Sequence, residues 1–274
     1  ALRIAKTPMS ILENNCMQST ASAAGYSTGA TLATAVGALL LIRGRFGTPS
    51  YYPSAGAGPY MRVGDWDGDR VLDLAMQNGG LIRVLRGDGS GGFVLTSSIP
   101  MGGGFMGRLL AGDFTGDRNT DLLFSVSSTS NARGYRLSIL TGNGLGRFAP
   151  MQDFFDVGTN PVAVVLGDWN GDERLDVAAA NRGSNNLSVL LSDGHGGFGP
   201  ATNFPANGAA AMESGDFDGD RRSDLAITNT VDASVSILFG DGKGGFRRLS
   251  NFVLPTAPSA LVVGDFDGDR SLDI

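Results

Sequence analysis

The sequence is short of the residues that build several kinds of site. Its 274 residues include one cysteine, Cys16, and one histidine, His195. A lone cysteine forms no internal disulfide, and together the two counts exclude zinc sites built on several cysteines or histidines. Charged residues are 18% of the chain, too few for a coiled coil or a long solvated helix. Positive charge is in deficit. The net charge of −6 argues against a nucleic-acid partner, because phosphate contacts need a basic surface. Long apolar runs are missing too. The longest, Ala38 to Ile42, follows a threonine-broken stretch and is too short for a transmembrane helix. No signal-peptide pattern is evident.

What the chain does have is glycine and a core. Glycine accounts for 42 residues and apolar residues for 42% of the total. That is enough apolar material to argue against wholesale disorder, and no G-X-Y period is present.

An internal repeat organises the rest. Gly64-Asp65-Trp66-Asp67-Gly68-Asp69, closed by Asp73, returns with its leading aspartate at Asp113, Asp168, Asp216 and Asp265, at spacings of 48, 55, 48 and 49 residues. Between these copies lies a glycine turn ending in phenylalanine: Gly87 to Phe93, Gly142 to Phe148, Ser192 to Phe198 and Gly240 to Phe246. A shortened form, Arg43-Gly44-Arg45-Phe46, precedes the first. An aromatic follows six residues later at Tyr52, Phe154, Phe204 and Phe252, with Ile99 in the remaining copy. The even spacing predicts both side chains on one face of a strand. Pro8 to Leu12 aligns with Pro161 to Val165, which places Asn15 where Asp168 stands. Residues 1–58 are therefore read as a degenerate first repeat or a linker, and residues 59–274 as the repeats proper.

Each unit reads as four short strands: one ending at the Gly-Asp, one opening after the ninth loop position, one before the glycine turn and one starting at the phenylalanine. Four-stranded units at a period near 50 residues predict an all-β fold, a β-propeller, in which stacked neighbours bury what one blade cannot. The sequence ends at Ile274, inside a sixth copy, so the expectation is an incomplete set of about five to six blades.

The acidic loops carry the chemistry. Numbered from the leading aspartate, oxygen side chains fall at positions 1, 3, 5 and 9. The first loop offers Asp65, Asp67, Asp69 and Asp73, and the second Asp113, Thr115, Asp117 and Asp121. The third offers Asp168, Asn170, Asp172 and Asp176. The fourth offers Asp216, Asp218, Asp220 and Asp224, and the fifth Asp265, Asp267, Asp269 and Asp273. Backbone carbonyls at position 7 (Val71, Asn119, Arg174, Arg222 and Ser271) could add a ligand. Carboxylates this close repel unless neutralised, and alternating hard oxygens suit Ca2+, which takes 6–8 of them. About four to five ions are expected, with the Thr115 loop the weakest. An EF-hand is excluded, since position 6 is never glycine and position 12 never glutamate.

Fivefold recurrence argues against a catalytic carboxylate pair, which is needed once. The glycine turns lack the lysine and serine of a P-loop. Trp66 and Trp169 read as packing residues, His195 as an exposed turn residue, and Arg83 and Arg136 as surface strand residues.

The acidic loop between two strands, followed by a glycine turn and phenylalanine, resembles the FG-GAP repeat of the integrin α-subunit N-terminal propeller, and equally the VCBS-type repeats of large secreted bacterial proteins. The similarity covers the chain from about Pro59. Phe198-Gly199-Pro200 and Phe148-Ala149-Pro150 keep parts of the family signature. The resemblance implies a seven-bladed ring, structural calcium in the loops between the first and second strands, and an adhesion or ligand-binding role outside the cell. The partner would be a protein or glycan. It implies no catalysis of its own. The alternatives are a propeller that supports a secreted polysaccharide lyase or hydrolase, and a lectin holding sugars between blades.

Overall fold

The computed structural model of the chain describes residues 38–41, 50–53, 60–78, 80–101, 106–127, 135–150 and 154–274. Every regular element among them is a β-strand. The aligned residues Pro8 to Leu12 and Asn15, and the lone Cys16, lie outside the described residues. β1 (Ala38–Leu41) and β2 (Ser50–Pro53) pair antiparallel on either side of the shortened glycine turn, with Leu39 opposite Tyr52.

Four antiparallel sheets follow, each made of strands consecutive in sequence. The first blade is β3 (Met61–Gly64), β4 (Asp73–Asn78), β5 (Leu81–Gly87) and β6 (Phe93–Pro100). The second is β7 (Met106–Gly112), β8 (Asp121–Ser127) and β9 (Tyr135–Gly142), with its outer edge split between β10 (Phe148–Pro150) and β11 (Phe155–Asp156). The third is β12 (Pro161–Gly167), β13 (Asp176–Asn181), β14 (Asn186–Leu190) and β15 (Thr202–Pro205). The fourth is β16 (Ala209–Gly215), β17 (Asp224–Asn229), β18 (Ser234–Gly240) and β19 (Phe246–Val253). A bridge between Gly264 and Asp273 repeats the opening of a blade once more. Second strands begin at the ninth loop position in all four blades. In the third blade the outer strand starts at Thr202 rather than Phe198, because Pro200 interrupts the ladder.

Burial runs from the second strand outward. Every residue of β13 and β17 is buried, whereas β15 is mostly exposed. Second strands are covered on both faces and so read as unbroken apolar runs, as in Val177-Ala178-Ala179-Ala180. Three apolar layers lie between successive blades, around Leu109 with Leu122, around Ile139 with Val177, and around Ala178 with Leu225. First strands from separate blades also act on one another. Burial pushes the Glu213 carboxyl of β16 up, while Arg108 of β7 and Arg62 of β3 act to hold it down.

Aromatic rings staple one blade to the next. The ring at loop position 2 meets the turn phenylalanine of the following blade: Trp66 with Phe148 at 5.8 Å, Phe114 with Phe198 at 6.2 Å, and Trp169 with Phe246 at 6.0 Å between centroids. Behind each ring pair runs a backbone bond. Gly146 N–H donates to Trp66 O, Gly196 N–H to Phe114 O and Gly244 N–H to Trp169 O, at 2.9 to 3.0 Å. The glycine before each leading aspartate makes room for the ring. A Cβ on Gly64 would sit 2.6 Å from Trp66 Nε1, and one on Gly167 2.9 Å from Trp169.

The two aromatics of the outer strand do not share a face, contrary to the spacing argument. A bulge shifts β6 against β5 between Val84 and Leu85, and β19 against β18 between Ile237 and Leu238. Phe246 pairs with Gly240 and Phe252 with Val235, five residues apart on a regular strand, so they point opposite ways. One ring looks back and the other forward. Phe204 of the third blade thus reaches Phe246 of the fourth at 5.4 Å. In the second blade the forward position belongs to Phe155, opposite Leu137 and 4.9 Å from Phe198. The expected Phe154 is one residue out of step and 51% exposed. Arg136 is likewise no simple surface residue; its side chain is partly buried, pairs with Asp156 at 3.0 Å and lies over Phe154.

Trp169→Ala should therefore cost about 3–5 kcal/mol, the usual range for a buried aromatic truncated in a core. Phe252→Ala, at a 54% exposed ring, should stay within about 0.5 kcal/mol. Urea unfolding of both variants checks the contrast, and equal losses would rule out the staple.

Candidate metal centre

Each acidic loop is wound by its own carboxylates. In the first loop Gly68 and Arg70 both adopt left-handed backbone, with φ of 78° and 66°. Glycine does so freely, but arginine meets a steric cost. Asp65 offsets that cost, since Oδ1 accepts from Gly68 N–H and Oδ2 from Arg70 N–H, both at 2.8 Å. Position 6 is left-handed in all five loops, at Arg70, Arg118, Glu173, Arg221 and Arg270. The leading aspartate accepts its N–H every time. Position 7 then donates to the carboxylate at position 5, from Val71, Asn119, Arg174, Arg222 and Ser271.

The ninth aspartate does something different. Asp73, Asp121, Asp176 and Asp224 are at most 1% exposed. Both oxygens of each are engaged by backbone. Oδ2 accepts from the ring residue at position 2, as Trp169 N–H donates to Asp176 at 3.0 Å. Oδ1 accepts from the residue that closes the third strand or lies just past it, as Ser192 N–H, two residues beyond β14, donates to Asp176 at 2.8 Å. The same pair of bonds recurs at Asp73, Asp121 and Asp224. This carboxylate thus ties the acidic loop to the third strand of its own blade. Sequence spacing marks it as a ligand but cannot show this second role.

The loops differ in what they bring together. Carboxylate oxygens of Asp65, Asp67 and Asp73 lie within 4.8 Å of one another, as do those of Asp216, Asp218 and Asp224, and those of Asp265, Asp267 and Asp269. Among the described residues the second and third loops form no such group. There the neutral residue at position 3 turns a donor on a neighbour. Thr115 Oγ1 donates to Asp121 at 3.2 Å, and Asn170 Nδ2 to Asp172 at 3.0 Å. Hard, anionic oxygens in close groups of three fit a divalent cation, so three loops have a donor set suited to a metal ion.

Two features escaped the spacing argument. The glycine turn is held by its own acid or amide: Asp88 Oδ1 accepts from Ser90 and Gly92, and Asn143, Asp193 and Asp241 repeat the pattern. The signal was there, since the second position of these four turns is always Asp or Asn. The other is Arg86, on β5, which pairs with Asp67 and Asp69. Aligning the third strands column by column isolates it.

Charge and burial act in opposite directions here. Desolvation pushes Asp73, Asp121, Asp176 and Asp224 above the ordinary aspartate value of 3.8. Backbone N–H donors hold Asp69 and Asp117 below it. A carboxyl raised on folding binds its proton more tightly in the native state. The four buried groups therefore add stability below about pH 4 that is lost as pH rises through their raised values. Asp69 and Asp117 add stability above that point and lose it as pH falls. In chelator, Asp176→Asn should flatten the decline in urea-unfolding stability on the high side of pH 4; an unchanged pH profile would contradict the assignment. Asp176→Ala should also cost about 2 kcal/mol or more in chelator, against about 0.5 kcal/mol or less for exposed Asp220→Ala.

Comparison with known proteins follows the same repeat. The family model described as an FG-GAP-like repeat matches residues 65–124, 113–179, 168–227 and 216–274. Each match starts at a leading aspartate. No curated protein sequence matches the chain. Solved structures share the fold. One is an Agrocybe aegerita lectin that recognises non-reducing terminal N-acetylglucosamine, at 18% identity and a TM-score of 0.51, over 77% of this chain and 60% of that one. A functionally unknown protein from Desulfotomaculum acetoxidans gives 13% identity and 0.54, over 80% and 64%. BBS1N, solved in complex with ARL6DN, gives 18% and 0.50, over 75% and 55%. The chain thus spans 55% to 64% of the length of these structures. With the repeat model covering the acidic loops from Asp65 to Ile274, the chain belongs to the FG-GAP-like repeat family, as a β-propeller of four-stranded blades.

Proposed function

We propose that the protein is a calcium-stabilised, non-catalytic binding scaffold that works outside the cell. The observation that carries this is the convergence of three carboxylates in each of the first, fourth and fifth loops. Calcium suits them better than magnesium, which keeps its water and prefers few protein ligands. Asp65, Asp67 and Asp73 would hold the ion in the first loop, Asp216, Asp218 and Asp224 in the fourth, and Asp265, Asp267 and Asp269 in the fifth. The ion supplies charge neutralisation where eighteen aspartates and Glu173, nineteen of the chain's 27 acidic residues, are gathered into five loops. Extracellular modules bind calcium with dissociation constants of about 10⁻⁴–10⁻³ M, which leaves such sites empty in a calcium-poor cytosol. At ten times the dissociation constant one site adds about 1.4 kcal/mol. Among the described residues no helix is long and apolar enough to cross a membrane.

A glycan is the ligand class favoured by a specific feature. A cleft of about 470 Å³ lies between the second and third blades, lined in part by Phe154, Asp156, Ser188, Phe198 and Asn203. It offers an exposed ring beside amides and a carboxylate, the mixture that small polar ligands with one apolar face require. The lectin with the same fold supports the glycan reading.

Calorimetric titration of the chelator-stripped protein with calcium should reveal at least three sites, with a rise in melting temperature. Asp218→Ala should remove about one of them. Absence of both heat and stabilisation would refute the calcium reading. On a glycan array, Phe154→Ala should abolish whatever binding the parent shows; silence of the parent across a broad array would refute the glycan reading.

A further inference from the structure

The first and fourth loops carry the same four aspartates, yet of the two only the first has a guanidinium seated across its carboxylates. Arg86 Nε lies 2.5 Å from Asp67 Oδ2, and its Nη2 lies 2.7 Å from Asp69 Oδ2. The other oxygens of these carboxylates are already engaged, Asp67 Oδ1 by Asp69 N–H and Asp69 Oδ1 by Val71 N–H. Arg86 thus takes the two oxygens the loop leaves over. In the fourth loop Asp218 and Asp220 make the same backbone bonds through Oδ1, but among the described residues no guanidinium bridges them. Arg222 approaches Asp220 only at 3.7 Å. The difference is written in the sequence. The residue before the one whose N–H reaches Oδ1 of the ninth aspartate is Arg86 in the first blade, but Thr141, Leu191 and Phe239 in the others.

Resting on the reading that these loops take calcium, we propose that Arg86 is a built-in counter-ion of the first loop, anchored on Asp69, and competes with the metal for Asp67. A divalent cation and a bidentate guanidinium draw on the same lone pairs, so one must leave when the other binds. The displaced side chain has room, since a cleft of about 340 Å³ that opens onto Asp67 and Asp73 is also lined by Arg86, Thr96, Leu145 and Arg147. The first loop is then held together without metal and gives up affinity in exchange, whereas the fourth depends on the ion. Four aspartates alone would make the two sites equal.

Terbium luminescence tests this directly, because Trp66 lies within the first loop. The chain's only other tryptophan is Trp169. Trp169→Phe, which places there the residue that the second, fourth and fifth loops carry, leaves Trp66 as the one tryptophan, and excitation at the red edge of indole absorption, where the five tyrosines do not absorb, then reads the first loop. In that background Arg86→Thr, the second blade's residue, should bind terbium in the first loop about three- to tenfold more tightly, the scale of two exposed ion pairs. Calcium should displace the terbium at correspondingly lower concentration. Arg86→Lys, which keeps the charge and loses the fork, should fall between the two. Arg86→Thr should also lower the melting temperature in chelator but not in saturating calcium. Unchanged or weaker first-loop affinity in Arg86→Thr, with the site lost on Asp218→Ala intact, would overturn the Arg86 proposal alone. No calcium binding at the fourth loop either would overturn the reading beneath it.

Discussion

Taking a carboxylate out of water costs several kcal/mol unless its oxygens find donors. This fold places one such group at the root of every blade. Asp176, with no exposed surface, accepts one N–H from the loop that precedes it and one from just past the far end of the third strand. Three segments distant in sequence are thereby fixed at a single point. The ring at position 2 is aimed by the amide that Asp176 holds, and that ring makes the contact with the next blade. The inter-blade staple therefore depends on a polar interaction inside the blade. A hydrocarbon at the ninth position could fill the space but would leave two buried N–H groups without partners.

The other carboxylates face outward and do a separate job. Positions 1, 3 and 5 wind the loop through short bonds to its own backbone, and their remaining oxygens gather negative charge at the surface. Copies have diverged in how they meet that charge. Asn170 and Thr115 reduce it by substitution and hydrogen-bond to a neighbour, Arg86 answers it with a bridging guanidinium, and the fourth loop has only the longer Arg222–Asp220 pair. A repeat protein can tune its units separately in this way, because each loop is wound by hydrogen bonds to its own backbone.

Much of this was legible in the residues. The recurrence of Gly-Asp marked the end of each first strand, and the ninth aspartate marked the start of each second. The glycine turn with its phenylalanine marked the outer hairpin. Spacing failed where direction mattered. An interval of six residues suggested one face for Phe246 and Phe252, but a bulge turned one over. In the second blade a single extra residue moved the role of Phe154 to Phe155. Nothing in the spacing separated an aspartate that ties backbone together from one that gathers at the surface, since both are the same residue in the same loop. Burial made that distinction, and burial depends on the neighbouring blade.

The account turns on a division of labour between the inner and outer carboxylates, and amide hydrogen exchange read residue by residue, in chelator and in calcium, tests it most directly. The N–H groups of Trp66, Phe114, Trp169 and Phe217 should be protected equally in both, because the ninth aspartate holds them without a metal. The N–H groups of Gly219 and Arg221 in the fourth loop should gain protection only with calcium. Free exchange of the Trp169 and Phe217 amides in chelator would contradict the account, because the order of the blades would then come from the ion.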